Sequence, residues 1–340
     1  MDTSDPSIEF NLNGICSHCR GVKSHIQTRW FPDLKGELKA KSIFAEIRDA
    51  GKDSKYDSII GISGGIDSAV VATRAVENGL RPLVIHVDGG WNTIESVQNI
   101  KSITEALNID LKTIVINWEE MRKLQIAYLK SGTLNQDIPQ DHAFFVSLFR
   151  AAIEMKISVV ISGVNYATES VQPVSWGHTN TDGDNLLNIY NRFYPYEPLV
   201  DFPVASSEFF TTKFNKYAYK VFYPLNFGHY DPELEKKRLI KTFNWLDYGS
   251  KHEESVFTKW FQSVYLYERY RIDVRRAHQS CLIISGLTTR DNALKILETK
   301  PITDQEKRNL TRIVAQKLEL QEDDLMFTLK IEKKLNSYYD

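Results

Sequence analysis

The sequence predicts an α/β fold built on a doubly wound, mostly parallel five-stranded sheet, and two observations carry that expectation. Short β-branched runs alternate with stretches of helical spacing through the first two thirds of the chain. The first of these runs, Ser58 to Ile62, ends in a glycine turn and passes directly into a helix over Asp67 to Val76. Strand, glycine loop and helix in that order suit a parallel sheet, whose neighbouring strands need a crossover connection.

Leu38 to Ala50 has the spacing of an amphipathic helix and leads into that first strand. Pro82 to Val87 is a second strand, closed by Asp88, Gly89, Gly90 and Trp91, and Thr93 to Leu107 is the helix after it. Leu111 to Ile116 is a third strand, which places Ser63, Asp88 and Asn117 beyond the carboxyl ends of the strands, where such sheets bind ligands. Pro139 to Met155 is a helix with His142 near its start, and Ile157 to Ser162 is the fourth strand. Val171 to Gly228 is rich in aromatic residues, Trp176, Phe210 and Tyr217 among them, which can stack on a sugar or a base or fill core. Lys220 to Leu225 reads as the fifth strand, and Asp231 to Asp340 as helical throughout, with Gly286 ending one helix and Thr303 with Glu306 boxing the start of another. The domain boundaries are then residues 1–35 for an N-terminal cysteine-containing segment, 36–230 for the sheet domain and 231–340 for a helical substrate or partner region.

Composition bounds the function. A chain of 340 residues with 42% hydrophobic and 25% charged residues can bury a sizeable core. A net charge of −2 provides no overall field for a polynucleotide, so no nucleic-acid partner is expected. No stretch reaches the ~18 uninterrupted apolar residues of a membrane span, and the expectation is a cytoplasmic protein without one. Three cysteines cannot close into a disulfide set, which suits a reducing compartment.

The chemistry concentrates at Ser63-Gly64-Gly65-Ile66-Asp67-Ser68. Gly64 and Gly65 allow positive φ and leave room for a ligand, and the loop N–H groups converge with a helix N-terminus on one anion site. Ser63 and Ser68 add hydroxyl donors, while Asp67 would repel a bare phosphate and is better explained as holding Mg²⁺ against it. Asp88 is a candidate nucleotide or metal contact, or else a residue of its own turn. Gly163, Asn165 and Glu169 follow the fourth strand, where they could bind nucleotide and complete the Mg²⁺ site opposite Asp67, or simply form a βα turn. Cys16 and Cys19 could present two thiolates to a metal, with His18 and His25 nearby, or remain free cysteines. Lys251, His252, Lys259, Arg275, Arg276 and His278 are a basic set that suits a diphosphate, or a solvated face paired with Glu253, Glu254 and Glu268. His142 and Trp176 join Lys259, Arg275, Arg276 and His278 as candidate substrate contacts, and Cys281 in its apolar run is expected to be core.

The string at Ser63 to Ser68 resembles the PP-loop of the ATP pyrophosphatases, which have an adenine nucleotide alpha hydrolase-like fold. The resemblance implies cleavage of ATP between its α and β phosphates. Met1 to Phe10 with Gly14 to Cys19, the loop Gly163 to Glu169, the stretch Tyr248 to Gln262, which contains Lys251 to Lys259, and the stretch Asp273 to Arg290, which contains Arg275 to Ser280, resemble the N-acetyl sugar amidotransferases of bacterial lipopolysaccharide O-antigen and surface-sugar biosynthesis. Members commonly carry a further CxxC upstream, which this sequence lacks, so a four-cysteine site for zinc or an iron–sulfur cluster is in doubt. What the family implies is an ATP-dependent enzyme that converts an acetamido group of a UDP-N-acetyl sugar to acetamidino. Asp67, Ser68, Lys251 and His252 would be catalytic, and ammonia would come from a separate glutaminase subunit, with a synthase-like partner beside it. Two competing readings are a PP-loop enzyme that thiolates tRNA and a nucleotide-binding partner of a polysaccharide assembly complex without turnover.

Overall fold

The computed structural model describes residues 1–330 except 178, 207, 210, 211 and 213–218. Phe210 and Tyr217 of the aromatic stretch therefore lie outside the described residues, as does the end of the helical region beyond 330. Strands β1 (Ser58–Gly61), β2 (Pro82–Asp88), β3 (Leu111–Val115), β4 (Val159–Ile161) and β5 (Lys220–Phe222) form one sheet in the order β3-β2-β1-β4-β5. Every neighbouring pair is parallel, with Ile60 opposite Val84 on one side and Ile161 on the other. The winding reverses between β1 and β4, so a crevice opens beyond their carboxyl ends.

The pleat divides the strand side chains between two layers of helices. Before and between the first strands come α1 (Ser17–Ser24), α2 (Leu34–Ala50), α3 (Ile66–Glu77), α4 (Ile94–Leu107), α5 (Trp118–Ser131) and α6 (Ile138–Glu154). After β4 come the single turn α7 (Tyr166–Glu169) and α8 (Gly183–Phe193). Ile60, Val84 and Ile161 pack with Phe44, Val70 and Ile103 of α2, α3 and α4, whereas Ile59, Ile85 and Val160 pack with Leu124, Ala143 and Leu186 of α5, α6 and α8. Burying each such side chain stabilises the fold by on the order of 2 kcal/mol. Helices α5 and α8 lie outside the elements expected from sequence. Strand β5 is shorter than the expected Lys220 to Leu225, because Pro224 opens a 3₁₀ turn over Pro224–Asn226 and has no N–H for a ladder.

The C-terminal region contains α9 (Pro232–Phe243), α10 (Val256–Trp260) continuing as a π-helical stretch Phe261–Tyr270, α11 (Arg275–Ile284), α12 (Arg290–Leu297), α13 (Asp304–Lys317) and α14 (Glu322–Thr328). Trp91 and Leu129 join Phe257, Trp260, Tyr265 and Val314 in a third core. The capping box of Thr303 and Glu306 forms, and Gly286 follows α11 at φ +76°.

Residues 244–255 are not helical, contrary to the expectation of helix throughout. Asn244 and Gly249 take φ of +53° and +107°, and backbone and side-chain bonds hold the segment across the carboxyl end of the sheet. Leu246 N–H donates to Asn99 Oδ1 at 2.6 Å, Thr93 N–H to the Glu254 carbonyl at 3.0 Å, and Val256 N–H to the Trp91 carbonyl at 2.9 Å. The first residues lie against α11, where the Met1 amino group donates to Ser280 Oγ at 2.6 Å. No helix among the described residues is long and apolar enough to cross a membrane.

Candidate active site

The loop between β1 and α3 is fixed by its glycines. Gly64 has φ +81°, and a Cβ there would lie 2.3 Å from the Ser96 carbonyl oxygen of α4. Only glycine allows that approach. Ser63 N–H donates to Ser68 Oγ at 3.3 Å and Gly65 N–H to Ser63 Oγ at 3.2 Å, so the two hydroxyls stand 3.4 Å apart at the N-terminus of α3. The loop already faces oxygens of the chain itself. Ile66 N–H donates to the Tyr248 hydroxyl at 3.2 Å, and the Ser63 hydroxyl donates to Glu254 Oε1 at 3.3 Å. The second Glu254 oxygen is buried without a hydrogen-bond partner, and burial, with the Asp67 charge nearby, raises that carboxyl's pKa. The Ser63 hydroxyl on a carboxyl oxygen and the Ile66 N–H on a tyrosine oxygen show donors of the loop aimed at acceptors, and the same donors fit a phosphate.

Asp67 points to the other side. Its Oδ1 accepts from the Tyr230 hydroxyl, and its Oδ2 accepts from Lys251 Nζ at 2.5 Å. The same ammonium lies 2.9 Å from Glu169 Oε1 and 3.1 Å from Thr168 Oγ1. Burial works against the Lys251 charge, but Asp67 and Glu169 outweigh it and hold its pKa above the ordinary lysine value. Gly163 makes the convergence possible, since a Cβ there would press on Asp67 at 3.2 Å. His252 and His278 complete the group, with ring centroids 5.8 Å apart and His252 Nε2 3.9 Å from Glu169 Oε1. Burial and the Lys251 charge push His278 down to about 4, and His252 well below the usual imidazole range. Two neutral imidazoles thus stand beside a fixed ammonium.

Residues 254–340, which begin at Glu254 of this cluster, match the family model described as LPS biosynthesis protein WbpG-like, C-terminal domain. That stretch is similar to a WbpG-like C-terminal domain. No curated protein sequence matches the chain. Among solved structures it is similar to an NH3-dependent NAD synthetase from Campylobacter jejuni, at 16% identity and a TM-score of 0.35 over 76% of this chain and 95% of that one. It is also similar to an NMN synthetase from Francisella tularensis, at 16% identity and a TM-score of 0.34 over 64% of this chain and 100% of that one. The strand order, rather than these likenesses, establishes the fold.

Within the WbpG-like domain the expected diphosphate cradle does not form. Arg275 is committed to Asp273, with 2.7 Å between Nη2 and Oδ2, and to carbonyls at the end of α12, with Thr299 O at 2.6 Å. Arg276 pairs with Asp2 at 2.7 Å, and Lys259 with Glu253 at 2.7 Å. Neighbouring positions on a helix point apart, so Arg275 and Arg276 cannot serve one anion. Of the basic set, only Lys251, His252 and His278 meet.

Other expectations are also redirected. His142 is fully buried, its Nδ1 2.6 Å from the Asn180 carbonyl and its Nε2 accepting from Ala205 N–H at 3.1 Å; it joins two loops and faces no substrate space. Asn165 is the N-cap of α7, its Oδ1 accepting from Thr168 N–H at 2.9 Å and its Nδ2 donating to Gly163 O at 3.1 Å. Asp88 is spent on its turn, accepting from Gly90 N–H at 2.8 Å and Asn92 Nδ2 at 2.9 Å. Trp176, in a 3₁₀ turn over Val174–Trp176, packs on the WbpG-like core with its indole N–H buried and unpartnered. Cys281, by contrast, is core as expected, accepting from Val171 N–H at 3.3 Å.

No group of three or more His, Cys, Asp or Glu side chains that could hold a metal assembles among the described residues. Cys16 caps α1, and burial together with Cys16 raises the Cys19 thiol, which opposes the thiolate that a metal requires. His18 is taken by Asp5 at 2.6 Å, and the His25 ring rests on Tyr166 with centroids 5.2 Å apart. Zinc or an iron–sulfur cluster therefore has no support at this pair. Between Asp67 and Glu169, where Mg²⁺ was expected, stands the Lys251 ammonium.

Sequence reasoning missed Tyr230, Tyr248 and Thr168 as members of the site and named Glu254 only in the alternative reading of a solvated face. Glu254 had a signal, since with Glu253 it is one of two acidic residues in the Lys251 to Lys259 stretch that carries the family resemblance. Tyr248 opens the same stretch of resemblance, whereas Tyr230 had no signal, because a single tyrosine has no pattern.

Proposed function

We propose that this protein is an ATP-dependent, AMP-forming C–N ligase of surface-polysaccharide biosynthesis. It converts an acetamido group of a nucleotide-linked N-acetyl sugar to an acetamidino group, with ammonia delivered by a separate glutaminase subunit. The observation that carries this reading is the single ammonium of Lys251. It joins Asp67 of the pyrophosphate-binding loop to Glu169, and it lies three residues before the WbpG-like match begins.

The chemistry follows from the poor leaving ability of an amide oxygen. The acetamido oxygen attacks the α-phosphorus of ATP, pyrophosphate leaves, and the carbon becomes open to ammonia. The nitrogen adds, loses a proton, and AMP departs with the former acetamido oxygen. Ser63, Ser68 and the N–H groups at the start of α3 would receive the pyrophosphate once Glu254 and Tyr248 withdraw. Lys251 would neutralise charge on the phosphoryl group, and neutral His252 or His278 could take the proton from the added nitrogen. Mg²⁺ would reach the oxygens of Asp67 and Glu169 only by displacing the Lys251 ammonium, and there it would supply charge neutralisation on the phosphates.

The test is incubation of the protein with ATP, Mg²⁺, ammonium and a panel of UDP-N-acetyl and UDP-diacetamido sugars. The expected outcome is a sugar product lighter by the difference between an oxygen atom and an NH group, with AMP carrying a heavy-oxygen label placed in the acetamido carbonyl. Lys251→Met should lower the rate about 100-fold or more. AMP that stays unlabelled would sink the mechanism.

A further inference from the structure

A cavity of about 1180 Å³ lies between α1, α2 and the β4–β5 edge of the sheet. None of Ser63 to Ser68 lines it, so it is not the phosphate end of the ATP site. One end reaches Glu169, the residue that Lys251 ties to Asp67. We propose that this cavity is the acceptor site and holds the nucleoside diphosphate of a nucleotide-linked sugar, with the sugar directed toward Glu169. The proposal rests on the amidotransferase reading and assigns its acceptor a place.

Three features argue for that ligand class. The cavity is larger than the roughly 300–1,000 Å³ of an ordinary small-molecule pocket, as a two-part ligand requires. Arg29, Lys39 and Lys220 line it, and among the described residues none of the three is paired with a carboxylate. Of its two acids, Glu169 is paired with Lys251, while Glu46 accepts from the Ser42 hydroxyl at 3.4 Å and keeps its charge, one carboxylate against three cations. The surplus is positive, which matches a diphosphate. Two hydroxyls supply the third feature. Those of Tyr166 and Tyr223 have no protein partner among the described residues and suit a ribose or sugar. Phe31 and Phe227 cover each other, with centroids 5.2 Å apart, and hold Lys39 Nζ 3.9 Å from the Phe31 centroid at the cavity wall.

The expected cradle of Arg275 and Arg276 is occupied by protein carboxylates, so the diphosphate needs another set of cations, and this is the set that the fold leaves open. Arg29 and Lys39 are exposed, so replacing them should not unfold the protein.

The test measures binding of UDP, CDP, GDP and dTDP by titration calorimetry to the full chain, to Arg29→Ala and Lys39→Ala, and to Ser68→Ala. At least one diphosphate should bind the parent protein at one site, with affinity reduced at least about tenfold in the Arg29 and Lys39 variants and unchanged in Ser68→Ala. Equal binding by all variants, or no binding of any of the four by the parent, overturns the proposal. In the amidation assay, the same two variants should raise KM for the sugar nucleotide and leave KM for ATP unchanged. Diphosphate binding that needs Arg29 and Lys39 but yields no amidine would keep this site and remove the reaction. Amidine formation with an unaltered KM in both variants would do the reverse.

Discussion

The ammonium of Lys251 stands where a divalent ion was expected, between Asp67 and Glu169. Asp67 and Glu169 come from loops after different strands, and without a cation between them their charges would push those loops apart. The same charge lowers its neighbours. His278 is held to about 4 by burial and Lys251, although Asp273 and Asp67 pull the other way. The unfolded chain would titrate this imidazole at about 6.5. As pH falls from that value toward 4, the unfolded state takes up a proton that the folded state refuses, so stability falls across this window and is restored as pH rises. His278→Asn should lose less stability than the parent over the same interval, by on the order of 2 kcal/mol. Urea unfolding of both proteins at the two ends of the window measures it, and parallel losses would mean that burial and the Lys251 charge do not hold His278 below its ordinary value.

At the scale of elements, the loop from β1 to α3 is a rigid cradle because α4 lies directly against it. Gly64→Ala adds a methyl group at φ +81° and 2.3 Å from a backbone oxygen, where nothing flexible can yield. The expected cost is at least about 2 kcal/mol, read as a lowered Tm. Gly61→Ala is the control, since its Cβ would meet only the Leu148 side chain at 3.4 Å. Similar melting of the two variants would show that α4 does not support the loop. This loop and the five strands were legible in the sequence because their causes are local: β-branched runs, two glycines and an N-terminal turn. Residues 244–255 were not. They follow a helix and precede one, and they leave helical geometry to place Tyr248, Lys251 and Glu254 on partners far away in sequence. Arg275, Arg276 and His142 were misassigned for the same reason. Their partners include Asp2, Thr299 and Asn180, and no spacing rule announces a pairing of that kind.

At the scale of the whole molecule, the sheet presents the site and the C-terminal region finishes it. The carboxyl ends of β1 and β4 supply Ser63 to Ser68 and Glu169, while the segment before α10 supplies the ammonium and the groups that cover the loop. The N-terminal segment is bound in the same way, with Met1 and Asp2 fastened to α11.

The span of these contacts has a consequence in time. Ile66 meets Tyr248 across 182 residues, Asp67 meets Lys251 across 184, and Ser63 meets Glu254 across 191. Closing such long loops costs chain entropy that nearby pairings do not, and contacts of this range slow folding. On refolding from denaturant, helical circular dichroism should therefore return first and binding of a fluorescent ATP analogue in a later, slower phase. Coincident recovery would show that the sheet and its cover form in one step. If the phases separate, a newly made chain would be folded before it was competent, and the arrival of its last hundred residues would set when the site begins to work.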